Sequence, residues 1–232
     1  MNGERATRGF RPPRQRRSRD TVERIVGATE GLLAERGVEG VTVHEIVRRA
    51  DSSVGSFYAR FEDRDAAVRY VHGRFWAEAA ARWDAYLEAS RWEGKSAIAI
   101  IARVIRALVR AMMADRDRLR PFLLLALSDP DGRLLERTAS LDGRIASGMA
   151  ELLTERTATL PQDIPDPVLR EGFVRVLGAI RDAVVFGDGS EEASRNLALS
   201  LVRMYGASIG LGGLPESWSE LLALCKDRPG SR

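Results

Sequence analysis

Residues 42–61, TVHEIVRRADSSVGSFYARF, constrain the fold of this chain more than any other stretch. Two short apolar-patterned runs meet at Asp-Ser-Ser, and neither is long enough to persist as a helix in water on its own. Both therefore need a packing partner. Just upstream, Val22, Ile25, Val26, Thr29, Leu32 and Leu33 recur at helical spacing and predict a bracing helix, capped by Ser18 or Asp20 and ending near Arg36. Gly37 predicts the left-handed stop that follows. Thr42 and Glu45 have the spacing of a capping box and open a second helix at about 43–50. Ser52 or Ser53 caps a third at about 54–60, whose core side is Phe57 and Phe61. Three helices with a tight turn between the last two make a helix-turn-helix unit.

Beyond residue 62 the pattern is helical throughout, at about 64–89, 98–113, 119–127, 130–157, 167–187, 190–210 and 216–226. Asp129 with Pro130, and Asp166 with Pro167, each place a capping acid before a proline suited to the first helical position. No stretch carries a strand signal. The expected fold class is all-α: a basic arm at 1–19, a helix-turn-helix domain at 20–66, and a larger helical ligand-binding and dimerisation domain at 67–227. The long fourth helix joins the two domains without a flexible linker, so a shift in the second can turn the first. No apolar run approaches the roughly 20 residues that span a bilayer, and the Arg-rich start lacks the apolar core of a secretory signal. The single cysteine, Cys225, allows neither an internal disulfide nor a cysteine-based metal site. The expectation is a cytoplasmic protein with no cofactor, no metal and no membrane partner.

Charge is unevenly placed. Residues 1–20 carry seven Arg against Glu4 and Asp20, a net +5, whereas residues 21–62 carry five Arg against seven acids, a net −2. Such a run is a solvated tail or, beside a helix-turn-helix, an arm that follows phosphates. Its location favours the arm, with Arg14, Arg16 and Arg17 on phosphate. The third helix offers a small polar outer face, Ser53, Val54, Gly55, Ser56 and Tyr58, on which a backbone can sit deep in a major groove. Gly55 removes a side chain where a phosphate comes nearest, and Ser56 and Tyr58 can donate to phosphate oxygens.

This segment resembles the DNA-binding segment of TetR-family transcriptional regulators. Thr42, Ile46, Ala50, Ser53, Gly55, Ser56, Phe57, Tyr58 and Phe61 fit that family's pattern over about residues 20–70. Three positions depart from it. Asp51 replaces the usual turn glycine, Ser52 replaces a half-buried apolar residue, and Arg64 stands near the lysine that opens the fourth helix and contacts phosphate. Asp tolerates a left-handed conformation better than most residues, so the turn survives. Between Ser52 and Ala59 the recognition face carries no Arg, Lys, Asn or Gln, so the common bidentate readings of guanine and adenine are not available there. Val54, at the family's variable DNA-facing position, is expected to meet a thymine methyl. Thr42, His44, Arg48 and Arg49 of the second helix, DNA shape and the arm carry the rest.

Residues 168–189 and 191–210 are apolar on more than one stripe and carry Gly172, Gly178, Gly206 and Gly210. A helix apolar on two sides has to bury both, and a second copy offers the surface. The resemblance implies the same: a homodimer through the last two long helices. It also implies a small-molecule pocket in the second domain, for which Trp76, Trp83, Phe122, Met149 and Phe173 are candidates, though such residues equally serve as plain core. The function expected is a ligand-responsive repressor that binds double-stranded DNA as a dimer, its effector unknown. The alternative is a ligand-independent architectural or cell-division DNA-binding factor of the same fold. His44 and His72 lie on separate helices and no phosphate-binding glycine loop precedes a helix, so no catalytic constellation is expected.

Overall fold

The computed structural model describes residues 9–13, 16–155, 160 and 164–226. Among these it forms helices only: α1 (Arg16–Arg36), α2 (Val43–Arg49), α3 (Val54–Tyr58), α4 (Arg64–Leu87), α5 (Ala97–Ala114), α6 (Arg116–Leu127), α7 (Arg133–Thr154), α8 (Asp166–Phe186), α9 (Glu191–Ser208) and α10 (Trp218–Cys225). A short 3-10 turn, Ala89–Trp92, follows α4. The chain divides into two compact units. The first comprises residues up to 79 with 117–138, the second 80–116 with the remainder from 139.

In the first unit, α1 packs on α2 and α2 on α3. Ile25, Leu32, Leu33, Ile46, Phe57 and Phe61 are fully buried. Gly37 adopts φ +66 and ends α1, and Asp51 adopts φ 46, the one non-glycine residue at positive φ among those described. Both follow the expectation. The capping box is only half made: Glu45 N–H donates to Thr42 Oγ1 at 3.2 Å, but the Glu45 carboxylate turns away to accept from Arg48 at 2.7 Å. A charge-assisted bond to a guanidinium competes well against the neutral amide the box would have used. α1 begins at Arg16, before its expected caps. Ser18 instead accepts a hydrogen bond from Arg60.

In the second unit, α5 is the central element and contacts α8, α9 and α10. Its Ile100, Ile101, Ile105 and Leu108 are inaccessible to solvent. α8 and α9 are joined face to face through Phe173 and Tyr205, rings 5.3 Å apart and edge-on, with Tyr205 O–H donating to Leu169 O at 3.0 Å. Arg116 pins the end of α8 by donating from Nε to Val184 O at 2.8 Å. Two helix starts differ from expectation. α7 opens at Arg133, not at Pro130: Gly132 makes a turn at φ +67, and Asp129 reaches across it to accept from Leu134 N–H at 2.9 Å. α8 opens at Asp166, which is its first residue and not its cap, with Pro165 in the cap position and Pro167 second. Pro167 still loses nothing there, because the first amides of a helix have no internal partner.

Candidate nucleic-acid interface

α3 is five residues long and buries one of them, Phe57. Its opposite side is open: Val54 is 47% exposed and Tyr58 48%, and a Cβ built on Gly55 would approach nothing closer than Ser53 Oγ at 3.9 Å. Ser53 caps the helix, accepting from Ser56 N–H at 3.1 Å, and its hydroxyl also lies 2.9 Å from that of Ser56. Val54, Gly55 and Tyr58 therefore form the free outer face, while Ser53 and Ser56 are shared with the cap.

The residues of α2 separate into two sets. Thr42, His44 and Arg48 are exposed, although Thr42 Oγ1 is used by the cap and Arg48 by Glu45. Arg49 forks onto Glu35 of α1, Nη1 to Oε2 at 2.6 Å and Nη2 to Oε1 at 2.5 Å. That bond holds the Glu35 carboxyl below its usual range. Arg49 is thus first a brace between α1 and α2. Arg24, which sequence reasoning passed over, braces the turn by donating to Asp51 O at 3.1 Å. Arg64 pairs with Asp65 at 2.7 Å and donates to Val38 O at 3.2 Å, tying the start of α4 to the loop before α2. Ser52 Oγ is buried without a hydrogen-bond partner, the cost of placing a hydroxyl where the family pattern has an apolar side chain.

Arg16 is exposed on the first turn of α1, whereas Arg14 and the side chain of Arg17 lie outside the described residues. Ahead of α1, Phe10 is fastened to the unit. Its ring lies 4.2 Å from that of Tyr70 and 5.2 Å from that of Phe61. Backbone bonds flank it, Glu62 N–H to Gly9 O at 2.8 Å and Arg11 N–H to Arg60 O at 2.7 Å. The signal was a lone aromatic in an otherwise basic and polar stretch.

The five pocket candidates are not brought together in one unit. Trp76 and Phe122 are buried in the first, around His72. Met149 and Phe173 are buried in the second, which also holds Trp83. The second unit does contain an open groove of about 610 Å³ between Asp84, Glu88, Arg144 and Glu151, but none of the five lines it. Of the four glycines, Gly172 and Gly206 serve the interior of the chain. A Cβ on Gly172 would stand 3.0 Å from the Tyr205 ring, and one on Gly206 would stand 2.5 Å from Leu214. Gly210 ends α9 at φ +71. Only Gly178 has nothing nearer than Arg181 at 3.8 Å. Exposed apolar side chains nevertheless lie along α8 and α9: Val168, Val174, Phe186 and Met204.

Residues 25–71 match the family model described as bacterial regulatory proteins, tetR family. No curated protein matches the sequence. Among solved structures, the chain resembles GusR of Salmonella enterica, at 18% identity and a TM-score of 0.61, over 82% of this chain and 95% of that one. It also resembles FadR of Bacillus subtilis in complex with stearoyl-CoA, at 17% identity and a TM-score of 0.61, over 81% and 98%. A third is FadR of Thermus thermophilus, a TetR-family transcriptional repressor in complex with lauroyl-CoA, at 19% identity and a TM-score of 0.56, over 84% and 98%. Among the described residues no helix is long and apolar enough to cross a membrane.

Proposed function

We propose that this chain, whose residues 25–71 match the model of the tetR family of bacterial regulatory proteins, is a ligand-responsive repressor that binds a two-fold symmetric operator as a homodimer. The observation that carries the reading is the free outer face of α3, Val54, Gly55 and Tyr58, on a helix anchored from behind by Phe57. A five-residue helix fastened at both ends and bare on one side suits a major groove better than a solvent-facing loop. Val54 contributes a methyl-sized apolar contact for thymine. His44 and Arg48 lie on the neighbouring helix, and the basic residues before α1 supply phosphate neutralisation.

The exposed Val168, Val174 and Phe186 of α8, with Met204 of α9, support a second copy as a covering partner. Two copies would carry two α3 faces, as a palindromic site requires. Response to a small molecule is supported by the acyl-CoA-bound structures that share the fold, and it works by a ligand that prefers one conformation of the chain over another.

Sedimentation equilibrium tests the dimer together with operator binding. The wild-type chain is expected to sediment as a dimer, and the double variant Val174→Arg, Phe186→Arg as a folded monomer that binds DNA at least tenfold more weakly. A wild-type monomer that still protects a two-fold symmetric site would refute the homodimer.

A further inference from the structure

The first unit buries a polar cluster that the DNA-binding face does not use. His72, on α4, is wholly inaccessible to solvent. Its Nε2 accepts from Trp76 Nε1–H at 2.8 Å. Burial, reinforced by the nearby charge of Arg137, pushes its pKa down to about 3, so the ring is neutral at physiological pH. With Nε2 acting as acceptor, the single proton of the neutral ring sits on Nδ1. That Nδ1–H is buried and has no hydrogen-bond partner among the described residues.

Arg137, on α7, presents a second orphan. Its Nη1 is buried and likewise without a partner, and burial lowers the pKa of the guanidinium. The two groups belong to one neighbourhood: His72 feels the charge of Arg137, and both feel the carboxylate of Asp129. One oxygen of that carboxylate is already used by the Leu134 amide. Rings surround the imidazole, Trp76 at 5.8 Å and Phe122 at 5.7 Å, with Phe75 4.9 Å from Phe122. Buried donors are nearly always satisfied in folded proteins, and two unsatisfied ones in the same neighbourhood ask for an acceptor.

We propose that His72 Nδ1–H and Arg137 Nη1 form the head of an effector site for a small carboxylate, whose apolar body lies against Trp76, Phe75 and Phe122. Both orphaned groups are donors, so neither can be satisfied by a cationic or donor-only ligand. A neutral carbonyl would satisfy a bond but add no charge to oppose the Arg137 guanidinium, which has Asp129 as its counter-charge. A carboxylate supplies two oxygens and that opposing charge. The inference deepens the ligand-responsive reading above and rests on it.

The full-length chain labelled with 15N at its imidazoles tests this, because it has only two histidines and His44 is exposed and serves as an internal control. Benzoate and octanoate are titrated, each against its own amide. The free chain is expected to show His72 protonated at Nδ1. At least one carboxylate is expected to shift that signal saturably and bind at least tenfold more tightly than its amide. Arg137→Met is expected to weaken that binding at least tenfold, and Arg137→Lys to restore part of it. The persisting His72–Trp76 bond reports that each variant is folded. An Nε2-protonated His72, no saturable response to either acid, or equal binding of acid and amide overturns the site. The two readings fail separately. A carboxylate that binds here without altering DNA affinity supports the site and refutes ligand-responsive repression, whereas no binding with operator recognition intact refutes only the site.

Discussion

The α2–α3 pair and the α8–α9 pair are both two helices joined by a few residues, and they are held by different forces. α2 and α3, seven and five residues long, bury Ile46, Val47 and Phe57 between them. That is little apolar surface for two helices, and polar fasteners make up the difference. Thr42 and Ser53 cap the two starts, the Arg49 fork ties α2 to α1, and Arg24 holds the turn at Asp51. α8 and α9, 21 and 18 residues long, have polar fasteners too, the Ser190 cap and the Arg116 bond to Val184 O, but add far more apolar burial. Leu169, Phe173, Val176, Leu177 and Ile180 on one meet Leu201, Val202 and Tyr205 on the other side of a common core. A short segment held largely by polar fasteners can leave nearly a whole face bare, whereas longer helices bury most of their apolar residues and leave out a few, such as Val174 and Phe186.

The largest effects are expected where each pair depends on an aromatic. Phe57→Ala and Phe173→Ala should each cost about 3–5 kcal/mol in denaturant unfolding. The Phe57 variant should also lose DNA binding completely, because α3 has no other buried residue. An α3 that binds DNA normally without Phe57 would break the comparison.

Next in size is a pH effect confined to the second unit. Asp142 is buried against Arg181, and burial outweighs that partner to raise its pKa from 3.8 to about 6. The folded chain therefore holds a proton that the unfolded chain releases earlier. Stability should fall as pH rises from about 4 to about 6, then level off, by an amount on the order of 3 kcal/mol. In Asp142→Asn this component of the profile should be absent. A wild-type profile that rises over the same interval would contradict the assignment.

A smaller loss, about 1 kcal/mol, is expected for Ser53→Ala, which removes the α3 cap. The same variant should weaken operator binding, while Ser217→Ala, which removes the α10 cap, should cost similar stability and leave DNA binding unchanged. The smallest structural effect belongs to the chain ahead of Phe10. Deleting residues 2–8 removes Arg5 and Arg8 but leaves the Phe10 anchor. Stability should hold, while the slope of log affinity against log salt should shrink by about 2, one for each phosphate no longer neutralised. An unchanged slope would remove Arg5 and Arg8 from the interface.

What the sequence made legible was mostly local. Gly37 and Asp51 took the left-handed conformations their residue types permit, and Thr42 and Ser53 capped the helices they precede. The all-helical fold followed from spacing alone. Long-range pairings were not legible: Arg49 with Glu35 and Arg64 with Val38 are 14 and 26 residues apart, and nothing local distinguishes a bracing arginine from one kept for phosphate. For the same reason Gly172 and Gly206 could be recognised as places of close approach but not assigned to a neighbour, which proved to lie within the chain. Pro130 misplaced the start of α7 because a proline suits a turn as well as a first helical position.

The most direct test of the central claim is in vitro selection of random duplex DNA by the full-length chain at near-physiological salt. A two-fold symmetric motif should be enriched, its half-sites carrying a thymine that Val54 reads, a preference lost in Val54→Ser. Retention of DNA without any enriched motif, and vanishing as salt rises, would contradict specific operator recognition by α3, because only basic residues meeting phosphates would remain.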